Sequence, residues 1–282
     1  MRLAFTSDIH IDLNGPAVLD ALVARARELS PDVLLVAGDI ATGAATYLRT
    51  LLALKAVVPR LLVVAGNHDV WTAPEALAQG IDSWARLDKL LPALCTEVGA
   101  DLLDAGPVEI DGVGFAGSLG WYDLTTREHL LDAPIEAYRA GQWEGLRWTD
   151  HTYAVWRGPD GQPMQMEEVA RVLRERLAGH LRQLTSRRIV VATHTLCFNE
   201  QIHRKAHPGW RFVNAFMGSL PLGDVVRGDP RVVLAIAGHT HLGSDIRLGR
   251  LRAIVSPLGY NREWKGATPA QAVAHALKMV EV

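Results

Sequence analysis

Runs of apolar residues that end on a small residue and open directly into a short polar cluster recur along this chain. Leu3 to Thr6 leads into Ser7-Asp8-Ile9-His10, Leu34-Leu35-Val36-Ala37 into Gly38-Asp39, and Leu61-Leu62-Val63-Val64-Ala65 into Gly66-Asn67-His68-Asp69. Such runs lack polar alternation, so they read as strands buried on both faces, the habit of parallel sheets. Strands are therefore expected over Arg2–Ser7, Val33–Ala37 and Leu61–Ala65. Between them the period changes. Asn14-Gly15-Pro16 opens a helical pattern through Val18, Leu19, Leu22 and Leu29 that Ser30-Pro31 stops, and a second helix spans Ala44–Val57. This β-α-β-α-β order makes neighbouring strands parallel.

A helix over Pro74–Leu91 follows, then short strands between Asp101 and Gly117 with a hairpin at Asp111-Gly112. The second half repeats the first: a helix over Gln165–Leu184, a strand over Arg188–Ala192 before His194, and a strand over Val232–Ala237 before Gly238-His239-Thr240-His241. Strands Ser244–Leu248 and Leu251–Val255 finish the expected core. Trp121–Met166 fits neither period and holds four of the eight tryptophans, Trp121, Trp143, Trp148 and Trp156. It reads as a loop-rich aromatic insertion, either a lid over a site or a small satellite core.

With 282 residues, 49% of them apolar, the chain can build one large α/β domain, and 1–282 is read as such. A net charge of -2 gives no basic field to draw it onto nucleic acid or an anionic membrane, so phosphate recognition has to be local. The N-terminus reaches charge at Asp8 too early for a secretory signal, and Lys55, Pro59 and Arg60 break the most apolar stretch, which points to a cytoplasmic protein. Cys95 and Cys197 make no metal-binding or disulfide pattern and read as free buried thiols.

In open α/β sheets, ligands bind beyond the carboxyl ends of the strands, so the polar clusters can converge. Histidine, aspartate and asparagine together make a metal site of nitrogen and oxygen donors. Two metals held ~3.5 to 4 Å apart activate water and clamp the oxygens of an in-line phosphoryl displacement. Asp8 and Asp39 could instead cap the helices that follow, and His239 and His241 would point oppositely on a straight strand. Taken together and in order, Asp-x-His, Gly-Asp, Gly-Asn-His-Asp, His and Gly-His-x-His closely resemble the motifs of the calcineurin-like metallophosphoesterase superfamily, from Asp8 to His241.

That resemblance implies a four-layer α/β/β/α sandwich of two mixed sheets flanked by helices and a metal-dependent phosphoester hydrolase. It implies that Asp8, His10 and His241 bind one metal, that Asn67, His194 and His239 bind the other, and that Asp39 bridges both. His68 would protonate the leaving oxygen, and Asp69 would brace its loop. The ions would be two divalent or mixed-valence metals, manganese first, with iron and zinc suited to the same donors. The chain departs from the family's protein phosphatases at Gly38-Asp39-Ile40-Ala41-Thr42-Gly43, where Thr42 replaces the carboxylate that orients the acid histidine. This favours small phosphodiesters such as cyclic nucleotides, with phosphomonoesters the rival and a nuclease third. A binding module that has lost catalysis is a further alternative, against which the intact ligand set speaks. For substrate contact the candidates are Trp71, by stacking, and Arg204, Lys205 and Arg211 in the polar loop after His194, with His203 and His207 beside them. Arginines alternating with glutamates on the 165–184 helix read as a solvated face. Partners reduce to a small phosphorylated substrate, and the sequence leaves the oligomeric state open.

Overall fold

A computed structural model describes all 282 residues. Its thirteen strands are, in chain order, β1 Arg2–Thr6, β2 Val33–Ala37, β3 Arg60–Val64, β4 Asp101–Leu102, β5 Val108–Ile110, β6 Val113–Ser118, β7 Gln142–Trp143, β8 Leu146–Arg147, β9 Arg188–Thr193, β10 Val232–Ala237, β11 Ser244–Leu248, β12 Leu251–Val255 and β13 Lys278–Glu281. One sheet has the order β13-β1-β2-β3-β4 and is parallel except for β13 at its edge; the other, β11-β12-β10-β9-β6-β5, is parallel at its centre with antiparallel β11 and β5 at its two margins.

The doubly apolar strands explain the layering. Leu3, Phe5, Val33, Leu35, Leu62 and Val64 of the first sheet meet Phe115, Val190, Ala192, Leu234, Ile236 and Ile254 of the second in the central seam. Their alternate neighbours, Ala4, Leu34, Val36, Leu61 and Val63, face the helices that carry Val18, Leu22, Tyr47, Leu51 and Leu54. On the far side Ile189, Val191 and Ala235 pack under Leu177, Leu181, Leu222 and Val226. The result is the expected α/β/β/α sandwich of two mixed sheets.

Three readings need correction. The helix over 74–91 is not continuous: a short turn of helix at Pro74–Ala78 ends near Gly80 (φ 78°), and the chain restarts behind an Asp82 cap. It then widens into a π turn at Arg86–Leu90 before helix Leu91–Val98, as Pro92 has no N–H for a regular fourth-neighbour bond. Second, the core does not finish at β12. A helix over Pro269–Ala276, boxed by Thr268 and Gln271, returns the chain to β13, which pairs with β1. Third, the tryptophans of 121–166 build no core of their own: Trp156 is buried in the core on the helical side of the first sheet, while Trp143 and Trp148 stack on Phe212 and Phe216. Cys95 and Cys197 are free and buried. No helix is long and apolar enough to cross a membrane.

Candidate metal centre

The loops after β1, β2, β3, β9 and β10 deliver Asp8 and His10, Asp39, Asn67, His194, and His239 and His241 to one place. Five of these seven sit in the left-handed backbone region, with φ 55° at Asp8, 45° at His10, 55° at Asp39, 70° at His239 and 53° at His241. Aspartate and histidine tolerate that region better than branched residues, but each such turn still costs about 1 kcal/mol. Strain repeated at one point of the molecule marks a site whose geometry the fold enforces. It also settles the His239–Thr240–His241 problem: the chain there is no longer a strand, and two left-handed residues bring both rings inward.

The ring nitrogens show what the cluster is built to hold. His194 Nδ1 lies 2.9 Å from the Ala37 carbonyl and His239 Nε2 2.9 Å from the Phe216 carbonyl. A carbonyl only accepts, so each of these nitrogens carries the proton, and the opposite nitrogen turns a lone pair inward. Those two inward atoms, His194 Nε2 and His239 Nδ1, both face Asn67 Oδ1, at 2.8 and 3.0 Å. Acceptors that converge in a buried site call for a cation. The neighbouring half is similar: His10 Nε2 and His241 Nε2 are 3.1 Å apart, Asp8 Oδ1 is 3.4 Å from His241 and Asp39 Oδ2 3.6 Å from His10. Glu263 takes His241 Nδ1 at 2.8 Å, and Asp39 Oδ2, also 3.4 Å from His194 Nε2, lies between the halves. The residues present therefore fit two metal ions. His68 also comes within ligand distance of His10 and Asp39, but it is only half-buried and packs against Trp71, with ring centroids 3.7 Å apart.

The electrostatics agree. Burial works against ionising Asp8, but its bond to His241 and that ring's charge hold the carboxyl down at about 2. Asp39 also lies well below the ordinary range, burial being outweighed by His194 and His68. Burial lowers His10 to about 4 and also lowers His239. Against the same burial, Asp39 lifts His194 to about 9, and Asp8 with Glu263 lifts His241 to about 10. A proton or a metal ion satisfies the same carboxylates, so metal binding here releases protons.

Around the donors runs a buried brace. Asp69 Oδ1 accepts from Ile40 and Ala41 N–H at 2.8 and 3.0 Å, and its Oδ2 accepts from Gly66 N–H at 2.8 Å, which ties the Asp39 loop to the Asn67 loop. Arg86 donates to the Asp69 and Thr42 carbonyls. Gly38 (φ 87°) lets the chain pass His194, and a Cβ on Gly66 would overlap Asp39 N and Oδ1.

Trp71, proposed from sequence for stacking, stands on His68, whose Nε2 is 3.5 Å from Tyr260 Oη. The polar loop after His194 joins the cluster only through the Phe216 carbonyl at its end. Arg204 bonds Asn199, Lys205 stands over the Trp210 ring at 3.4 Å, and Arg211 lies 3.6 Å from Glu128; none of the three contacts the histidine cluster. His207 caps the helix that begins at Pro208, and His203 offers its carbonyl to Trp210 and Asn214. Sequence reasoning missed Asp150, Tyr260 and Glu263, which reach the centre from segments without a recognisable motif.

A family model described as calcineurin-like phosphoesterase matches residues 1–243. The chain belongs to that family. The family works through a dinuclear metal centre, and the chain is accordingly a phosphoester hydrolase. No curated protein matches it in sequence. Among solved structures, phosphopantetheinyl hydrolase from Mycobacterium tuberculosis shares the fold with a TM-score of 0.77 at 21% identity, covering 99% of this chain and 95% of that one. The protein TT1561 of Thermus thermophilus does so with a TM-score of 0.53 at 15% identity, covering 99% and 97%.

Proposed function

We propose that this chain, as one domain over 1–282, hydrolyses small phosphodiesters such as cyclic nucleotides in the cytoplasm, with manganese as its first metal and iron or zinc able to replace it. When bound, two metal ions supply Lewis acidity at the phosphoryl oxygens and make the attacking water more acidic. Asp8, His10 and His241 would hold one, Asn67, His194 and His239 the other, and Asp39 both. His68, kept in place by Trp71, passes a proton from Nε2 to the leaving oxygen.

The observation that carries the diester reading is the rim beside His68. A monoester brings an additional anionic oxygen, which calls for a cation; a diester brings a second organic group, which an aromatic rim suits. Trp71 and Tyr260 form this rim, whereas Arg204, Lys205 and Arg211 are engaged elsewhere and Arg262 is exposed over the Tyr260 ring. The 0.77 likeness to a protein named phosphopantetheinyl hydrolase favours a second diester, a phosphopantetheinyl ester. The test is to assay the purified chain in excess Mn²⁺ on bis(p-nitrophenyl) phosphate and p-nitrophenyl phosphate side by side, then on cyclic nucleotides and phosphopantetheinyl esters. The diester is expected to lead in kcat/KM by about tenfold, ~1.4 kcal/mol of transition-state stabilisation. A lead of that size for the monoester overturns the reading.

A further inference from the structure

The segment 121–166 places one fully buried carboxylate beside the metal centre, and every side chain bonded to it is a donor. Asp150 Oδ1 accepts from Asn67 Nδ2 at 2.9 Å and Trp71 Nε1 at 2.5 Å. Its Oδ2 accepts from Trp148 Nε1 at 2.9 Å and Tyr122 Oη at 2.9 Å, and again from Asn67 Nδ2 at 3.2 Å. Only 2% of the residue is exposed, so water does not substitute for any of these partners.

An asparagine is an ambiguous metal ligand. Its oxygen and nitrogen are nearly equal in size, only the oxygen carries a lone pair for a metal, and rotation by half a turn exchanges them. The inward partners, as the neutral rings that ligate a metal, do not choose between them: a lone pair on His194 Nε2 or His239 Nδ1 would accept an amide N–H as readily as it would share a cation with an amide oxygen. Asp150 does choose. An acceptor on both oxygens, it can bind only the NH2 end, which leaves Oδ1 turned to the two histidines.

We propose that Asp150 is the positioning residue of the second metal site, holding Asn67 in the orientation that binds. The proposal rests on the reading of Asn67 as a ligand of that metal. The carboxylate is itself fixed by the Trp71 and Trp148 indoles, which can only donate. The aromatic segment thus completes the metal centre from outside the family motifs, and Trp71, the ring under His68, hangs from the same carboxylate.

The test is metal binding, read without turnover. The full chain, freed of metal by chelation, is titrated with Mn²⁺ by calorimetry, alongside Asp150→Asn and Asn67→Ala. Asp150→Asn keeps the shape but places an amide against an amide. It is expected to weaken the second ion by about tenfold to a hundredfold, the usual loss when a ligand's outer partner goes, and to leave the first ion's affinity unchanged, with a lower melting temperature because a buried donor loses its acceptor. Two ions bound by Asp150→Asn with wild-type affinity overturn the proposal. If Asn67→Ala also keeps both, the ligand reading beneath it falls as well; if that variant loses one ion while Asp150→Asn does not, only the positioning role falls. Should Asp150→Asn fail to fold, the double variant Tyr122→Phe with Trp148→Phe decides, because it loosens the carboxylate without removing it. A second-ion affinity at least about threefold weaker supports the role, and an unchanged one overturns it.

Discussion

Gly66→Ala adds a single methyl group at the junction of two ligand loops, and the structure fixes what that methyl meets. A Cβ there would overlap the backbone nitrogen and Oδ1 of Asp39 and come within 2.8 Å of its Cα, against an ordinary contact of roughly 3.4 to 4 Å. The nitrogen and Cα are backbone atoms, so no rotamer relieves the clash, and the Asp39 loop has to retreat by about 1 Å. That loop is held by His10 N–H on the Asp39 carbonyl at 2.9 Å and His68 N–H on Asp39 Oδ1 at 2.9 Å. Overpacking costs ~1 to 3 kcal/mol and two loosened hydrogen bonds ~1 kcal/mol each, so a loss of about 3 to 5 kcal/mol is expected. Displacing the carboxylate proposed to bridge the metals by about 1 Å should lower kcat roughly a hundredfold. Gly106→Ala is the control, because a Cβ there meets nothing within 4 Å; it should stay within ~0.5 kcal/mol. Urea unfolding and turnover of bis(p-nitrophenyl) phosphate measure both effects. A Gly66→Ala protein within ~1 kcal/mol and fivefold of wild type would refute the close approach on which this reasoning depends.

Asp39→Asn, which weakens both halves of the centre, should abolish turnover and deplete bound metal together, as read by elemental analysis; retention of both ions would contradict the bridge. His68→Ala should keep its metal content and lose about a hundredfold or more in kcat; loss of metal in that variant would make His68 a ligand instead. Asp104, whose oxygens accept the Ala65 and Leu119 N–H groups between the sheets, is pushed by burial up to about 6 despite those bonds. A carboxyl raised above its unfolded value of 3.8 contributes stability in full below that value, and the contribution is lost as pH rises through about 6. Wild type should therefore lose about 2 kcal/mol relative to Asp104→Asn between pH 4 and 7, and parallel stability profiles in urea would contradict the assignment.

Local pattern carried far in this chain. The doubly apolar runs became the central strands because a strand between helices and a second sheet has no solvent face, and that burial is written residue by residue. The helix over 74–91 failed for a local reason, Gly80 and Pro92, which a periodic apolar stripe conceals. The last helix was legible locally, from its Thr268–Gln271 box and Pro269, whereas β13 failed for a distant reason: it exists as a strand only because β1 offers it an edge.

The amino-acid sequence by itself determined the family, the sandwich and which seven polar side chains gather at one place, since a fixed order of short motifs after buried strands is a one-dimensional signal. The tertiary structure alone decided how those side chains are aimed. Carbonyls of Ala37 and Phe216 set which histidine nitrogens turn inward, and Asp150, eighty-three residues beyond Asn67, takes the amide's NH2 end. It also decided that Trp71 lies on His68 while the cations after His194 turn to other partners. The physical reason is range: burial and turn preference act over neighbouring residues, whereas a lone pair is oriented by whatever donor or acceptor the fold brings to it.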